Sequence, residues 1–174
     1  MFQFFRVQKA RRSVVDQITP LIDYTRARRG NLPDKIWRMP YMIGYLTMLI
    51  SLLIDAKTKG PLTSDNLGLA QLEIWQKITG LNDENIGEQI CALSAACDQN
   101  FANGCENAGR FFKASHGEAR VDDDVVRAHF SDTVKEHVHE FDQPQTQTRL
   151  FGPNAIVTEP LWQRYFEDHL DEML

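Results

Sequence analysis

The sequence predicts an all-α protein, an irregular bundle of about five to seven helices around one central apolar helix at about residues 39–54. Three observations point there. Apolar residues recur at steps of three and four along most of the chain, the period of a helix face. Glycine, proline and capping residues punctuate these runs at helix-sized intervals. One run, Met39 to Ile54, lies between Arg38 and Asp55 without a charge, and a helix lacking a polar face must be buried on most sides. The only extended candidate, Ala155-Ile156-Val157-Thr158, is too short and isolated to found a sheet.

The first helical region spans about Phe4 to Arg29. Val14, Ile18, Leu21, Ile22 and Thr25 form its apolar face. Pro20 removes a backbone donor and crowds the preceding turn, so a kink or break is expected near Thr19. Gly30 suits the C-terminal cap, and Arg26, Arg28 and Arg29 favour the negative end of the helix dipole. Asp34 is a candidate cap for a second helix reaching about Lys57, which carries the central apolar run and stops at Gly60-Pro61.

Thr63 or Ser64 begins a third helix with a stripe of Leu67, Ala70, Ile74 and Ile78, and Gly80 ends it. A fourth is expected from Asn82 or Asp83 to about Ser115, with Ile86, Ile90, Leu93, Cys97, Phe101, Cys105, Ala108 and Phe112 on one line. Gly104 and Gly109 weaken it by about 1 kcal/mol each relative to alanine, and they mark either a close helix approach or a break. The acidic run at Asp122 opens a fifth helix with Val126, Phe130, Val134, Val138 and Phe141 inward. Polar, aperiodic residues 143–158 read as a linker or surface loop. The organisation expected is therefore a helical core at 1–142, that linker, and a C-terminal amphipathic helix at 159–174 docking on the core or on a partner subunit.

Composition sets the class. A chain of 174 residues buries enough surface to hold a core without a staple. Cys91, Cys97 and Cys105 are odd in number and lack the spacing of a zinc knuckle or redox pair, which fits a reducing cytoplasm. The apolar run is 16 residues between its flanking charges, just under the roughly 17–25 of a bilayer span, so no transmembrane insertion is expected. Charge is segregated. Residues 1–60 carry 11 Lys and Arg against 4 Asp and Glu, and the remainder carries 8 against 20. Two halves that pack together and partly neutralise each other explain this, and no nucleic-acid module accompanies the basic half.

Motifs for chemistry are scarce. His129, Asp132, Glu136 and His139 share a helix face, but it lies opposite the Val126–Phe141 stripe, whereas ligands in a bundle project inward with the core. No metal and no cofactor is expected. The cysteines fall on or beside an apolar stripe and lack a neighbouring cation, so they read as small hydrophobes. Neither a Gly-x-Ser-x-Gly elbow nor a phosphate loop is present.

What remains is a non-catalytic interaction or assembly module, self-associating as a homo-oligomer or binding another protein. Trp162, Tyr165, Phe166 and Leu170 form its expected interface, because aromatic side chains anchor such surfaces. The alternative is a ligand-binding or enzymatic bundle whose apolar pocket lies near Trp37, Tyr41, Tyr45 and Trp75.

Overall fold

A computed structural model describes residues 2–58, 62–82, 85–116, 159 and 161–171, with the backbone alone for 2–5. The fold is all-α, and a central apolar helix packs against the others, as the sequence predicts. Among the described residues there are six α-helices and a C-terminal helical segment. They are α1 (Phe2–Arg29), α2 (Asp34–Trp37), α3 (Pro40–Thr58), α4 (Ser64–Thr79), α5 (Ile86–Ala95) and α6 (Gln99–Ser115). The expected fifth helix over 122–141, its His129/Asp132/Glu136/His139 face and the linker at 143–158 lie outside the described residues.

The helix α1 runs without a break through Pro20. Its face of Val14, Ile18, Leu21, Ile22 and Thr25 is buried on both sides of the proline, so packing offsets the missing backbone bond. Arg11 reaches across to Glu73 of α4 at 2.6 Å, and Arg26 donates to the Ile78 carbonyl.

The expected second helix is two. The turn α2 ends at Arg38, and α3 starts at Pro40. A proline fits the first helical position, where its missing N–H has no partner to lose. Asp34 is the first residue of α2 and not its cap; Pro33 holds that place. From Tyr41 to Thr47 every residue of α3 is buried, and Leu49, Ile50, Leu53 and Ile54 continue the core. By length and composition α3 could cross a membrane, but 61% of its apolar window is buried inside the fold.

The expected fourth helix is also two, and the break falls at 96–98 rather than at a glycine. Cys97 takes a left-handed φ of 49°. The Asp98 N–H bonds the Leu93 carbonyl at 3.1 Å, the long-range bond of a Schellman ending, with cysteine where glycine is usual. Asp98 then caps α6 by accepting from the Phe101 N–H at 2.9 Å. Beyond it α6 passes uninterrupted through Gly104 and Gly109.

Glycine decides how α3 meets α6. A Cβ on Gly104 would stand 2.1 Å from the Tyr41 carbonyl oxygen, and one on Gly44 would stand 2.2 Å from that of Phe101. The two backbones touch at this crossing, and the Cys105 thiol lies 3.4 Å from the Gly44 carbonyl beside it. The C-terminal segment is less regular than the amphipathic helix expected over 159–174. It winds as a π-turn at Gln163–Glu167 and a 3₁₀ turn at Asp168–Leu170. The wider π-turn lets Leu161, Trp162, Tyr165, Phe166 and Glu167 all turn inward.

Candidate functional site

An aromatic cluster fills the space between α3, α6 and the C-terminal segment. Tyr45 stands at its centre, 5.7 Å from Trp162, 5.2 Å from Phe166 and 6.5 Å from Phe111, measured between rings. Trp162 and Phe166 stack at 4.0 Å. Such tilted and offset pairs add roughly 0.5–1.5 kcal/mol each beyond their burial. The Trp162 indole N–H is satisfied by Thr25 Oγ1 at 2.9 Å, which in turn donates to the Leu21 carbonyl. Among the described residues the buried Tyr45 hydroxyl has no hydrogen-bond partner, and burial pushes its pKa well above the ordinary phenol value, with Tyr41 and Tyr165 adding to the rise.

One polar network leads from this cluster to the surface. The Tyr165 carbonyl can only accept, so the Tyr41 hydroxyl donates to it, at 2.7 Å. The Tyr41 oxygen then accepts from Asn107 Nδ2 at 2.9 Å. The second hydrogen of Nδ2 points to His169 Nε2 at 3.0 Å, which must supply a lone pair. The His169 ring rests 4.7 Å from that of Tyr41.

A cleft of about 420 Å³ opens over this network. Met39, Pro40 and Tyr41 form one side where α3 begins. The polar face of α6 forms the other, with Asn100, Asn103, Glu106, Asn107 and Arg110 at helical spacing, and His169 closes the end. Gln99 donates to Asn103 Oδ1 at 2.9 Å, and Arg110 Nη2 bonds Glu106 Oε1 at 2.5 Å. Asn103 and Glu106 are exposed to solvent, and Asn107 is half-buried.

The C-terminal segment is held beside the cleft by charge. Arg28 donates to the buried Glu167 at 3.0 Å and to Gln163 at 2.9 Å. Arg29 pairs with Asp171 through both carboxylate oxygens. That bond holds the Asp171 carboxyl below its usual range. Among the described residues Glu167 Oε1 has no hydrogen-bond partner.

Of the residues expected to line an apolar pocket, Trp37, Tyr41, Tyr45 and Trp75 are all buried. Only Tyr41 borders the cleft. Tyr41 and Tyr45 stack at 6.2 Å, but among the described residues neither tryptophan makes a ring contact with them. The expected interface residues Trp162, Tyr165, Phe166 and Leu170 are buried against the chain's own helices. A partner would reach that face only by taking the segment's place. Sequence reasoning missed Asn103, Glu106, Asn107 and Arg110. Their signal was the polar line Asn100, Asn103, Asn107, Arg110 along α6 at steps of three and four.

Among the described residues no group of three or more His, Cys, Asp or Glu is placed to hold a metal ion. No family model, curated protein or solved structure matches the chain.

Proposed function

We propose that this protein is a non-catalytic helical binding module whose cleft between the start of α3, the polar face of α6 and His169 takes a small polar molecule. The carrying observation is a concave site lined by Asn100, Asn103, Glu106, Asn107, Arg110 and His169 over the hydrogen-bonded Tyr41–Asn107–His169 floor. Its volume falls within the roughly 300–1,000 Å³ of ligand sites. Tyr41 and Asn107 are anchored by Tyr165 and His169, so little ordering is needed when a ligand arrives. The proposed site shares Tyr41 with the pocket expected from sequence, while Trp37, Tyr45 and Trp75 are buried in the core. Affinity selection tests the proposal. Purified protein is incubated with a small-molecule extract, freed of unbound compounds by gel filtration and denatured. A compound retained by the wild type and lost from Asn103→Leu with Arg110→Ala supports it. Equal retention by both proteins, or none, counts against it.

A second reading, a self-associating module, rests on α5. That helix exposes Cys91, Ala92 and Ala95 beside one acid, Glu88, while Ile90 and Leu93 are partly buried against the core. A second copy of the chain would cover such a face. Light scattering separates the two, since a monomer at all concentrations leaves α5 uncovered and removes this reading.

A further inference from the structure

We infer that the cleft selects a small uncharged polyhydroxyl compound, a sugar or polyol, an inference that rests on the binding role proposed above. Charge is the first argument. Glu106 and Arg110 pair one helical turn apart, and their side chains are 60% and 58% exposed. An anion drawn to Arg110 meets Glu106, and a cation drawn to Glu106 meets Arg110.

Hydrogen-bond capacity is the second. Asn107 spends both amide hydrogens on Tyr41 and His169, which leaves Oδ1 as an acceptor. Asn103 accepts from Gln99 with one lone pair of Oδ1 and keeps its amide hydrogens as donors. These two lie at i and i+4, with Cβ atoms about 5–6 Å apart. Glu106 Oε2 adds an acceptor and the remaining Arg110 N–H groups add donors a turn further along. The site thus offers donor and acceptor in alternation. A hydroxyl group donates and accepts at one oxygen, so adjacent hydroxyls on one carbon skeleton answer this pattern. A peptide group places its donor and acceptor on opposite edges and answers only half of it. The opposite wall supplies the apolar surface that the C–H face of such a ligand needs, through Met39 and Pro40.

The test is a titration of the full ¹⁵N-labelled chain, read at the side-chain amide signals of Asn100, Asn103 and Asn107. D-glucose and myo-inositol are the neutral probes; sodium sulfate and tetramethylammonium chloride are the charged ones. Saturable shifts are expected with a neutral probe at concentrations up to about 50 mM, well above the millimolar Kd of weak ligands. Asn103→Leu, a change at an exposed site, should weaken that binding by about three- to tenfold, the loss of one hydrogen bond. Saturation by sulfate or tetramethylammonium alone would overturn the inference while leaving a ligand-binding cleft in place. No response to any probe, or a response to polyols that Asn103→Leu leaves unchanged, would also overturn it; affinity selection then reports separately on the binding role.

Discussion

Replacing Gly104 by alanine should destabilise this protein, while the same change five residues later should stabilise it. A Cβ at Gly104 would sit 2.1 Å from the Tyr41 carbonyl oxygen and 2.8 Å from the Tyr45 nitrogen. Ordinary contact begins at 3.4 Å, so the deficit exceeds 1 Å against backbone, which cannot swing aside as a side chain does. The helices α3 and α6 would have to part. Overpacking of this kind costs about 1–3 kcal/mol and sometimes more. Parting them also loosens Tyr45 against Phe111, so we expect a net loss of about 2 kcal/mol or more even after alanine's helix preference is counted. At Gly109 nothing lies within 4 Å of the added carbon. There alanine should gain about 0.5–1 kcal/mol, since it only relieves the chain entropy of glycine. The two variants should therefore differ by about 3 kcal/mol. At roughly 2–4 °C per kcal/mol for a chain of this size, their melting temperatures should stand about 6–12 °C apart. Thermal unfolding followed by circular dichroism, with urea midpoints beside it, measures this. Equal stability, or Gly104→Ala the more stable, would refute the backbone contact between α3 and α6.

Three further outcomes follow from the C-terminal clasp and the thiols. Arg28→Met removes the nearer partner of the buried Glu167 carboxylate and leaves only Arg29 at 3.9 Å, so the double variant Arg28→Met with Glu167→Met should be more stable in urea than Arg28→Met alone. The Arg29 bond lowers the Asp171 pKa, so its contribution is complete above the unfolded carboxyl value of about 3.9 and fades as pH falls through the lower folded value. The melting-temperature gap between wild type and Asp171→Asn should thus be constant near neutrality and close below about pH 4; a gap that persists at lower pH contradicts the pairing. Cys91 and Cys97 are exposed, whereas burial raises the Cys105 pKa beside the Gly44 carbonyl. A disulfide reagent should label the first two thiols of the folded protein quickly and the third slowly, and uniform kinetics would contradict the packing of Cys105.

The elements legible in the sequence are those whose signals are local. The apolar run of α3 and the Gly80 ending of α4 each rest on residues adjacent in the chain. The break between α5 and α6 is not legible, because the stripe stays in step across it and a cysteine takes the left-handed turn that glycine usually marks. The Asp98 cap is a local signal of that break, hidden within the stripe. Pro40 is the equivalent signal at the start of α3. For Gly104 the sequence leaves open a break or a close approach; the answer depends on Gly44, sixty residues earlier in the chain, and on how two helices cross. The cleft is least legible of all. Asn107 finds Tyr41 and His169 at sequence separations of 66 and 62, which no periodicity encodes. The aromatic residues stand out in the sequence for their size, and that same size closes them into the core, leaving modest asparagines to shape the opening.

The most direct measurement is a comparison of amide spectra of the ¹⁵N-labelled protein before and after exposure to a dialysed-in small-molecule extract. If the cleft is a binding site, the side-chain amides of Asn100, Asn103 and Asn107 shift together with the backbone of α6 around Glu106 and Arg110, and the protein remains a monomer. Unmoved asparagines, with changes confined to α5 or with a rise in mass to a dimer, would contradict the cleft and favour the assembly role.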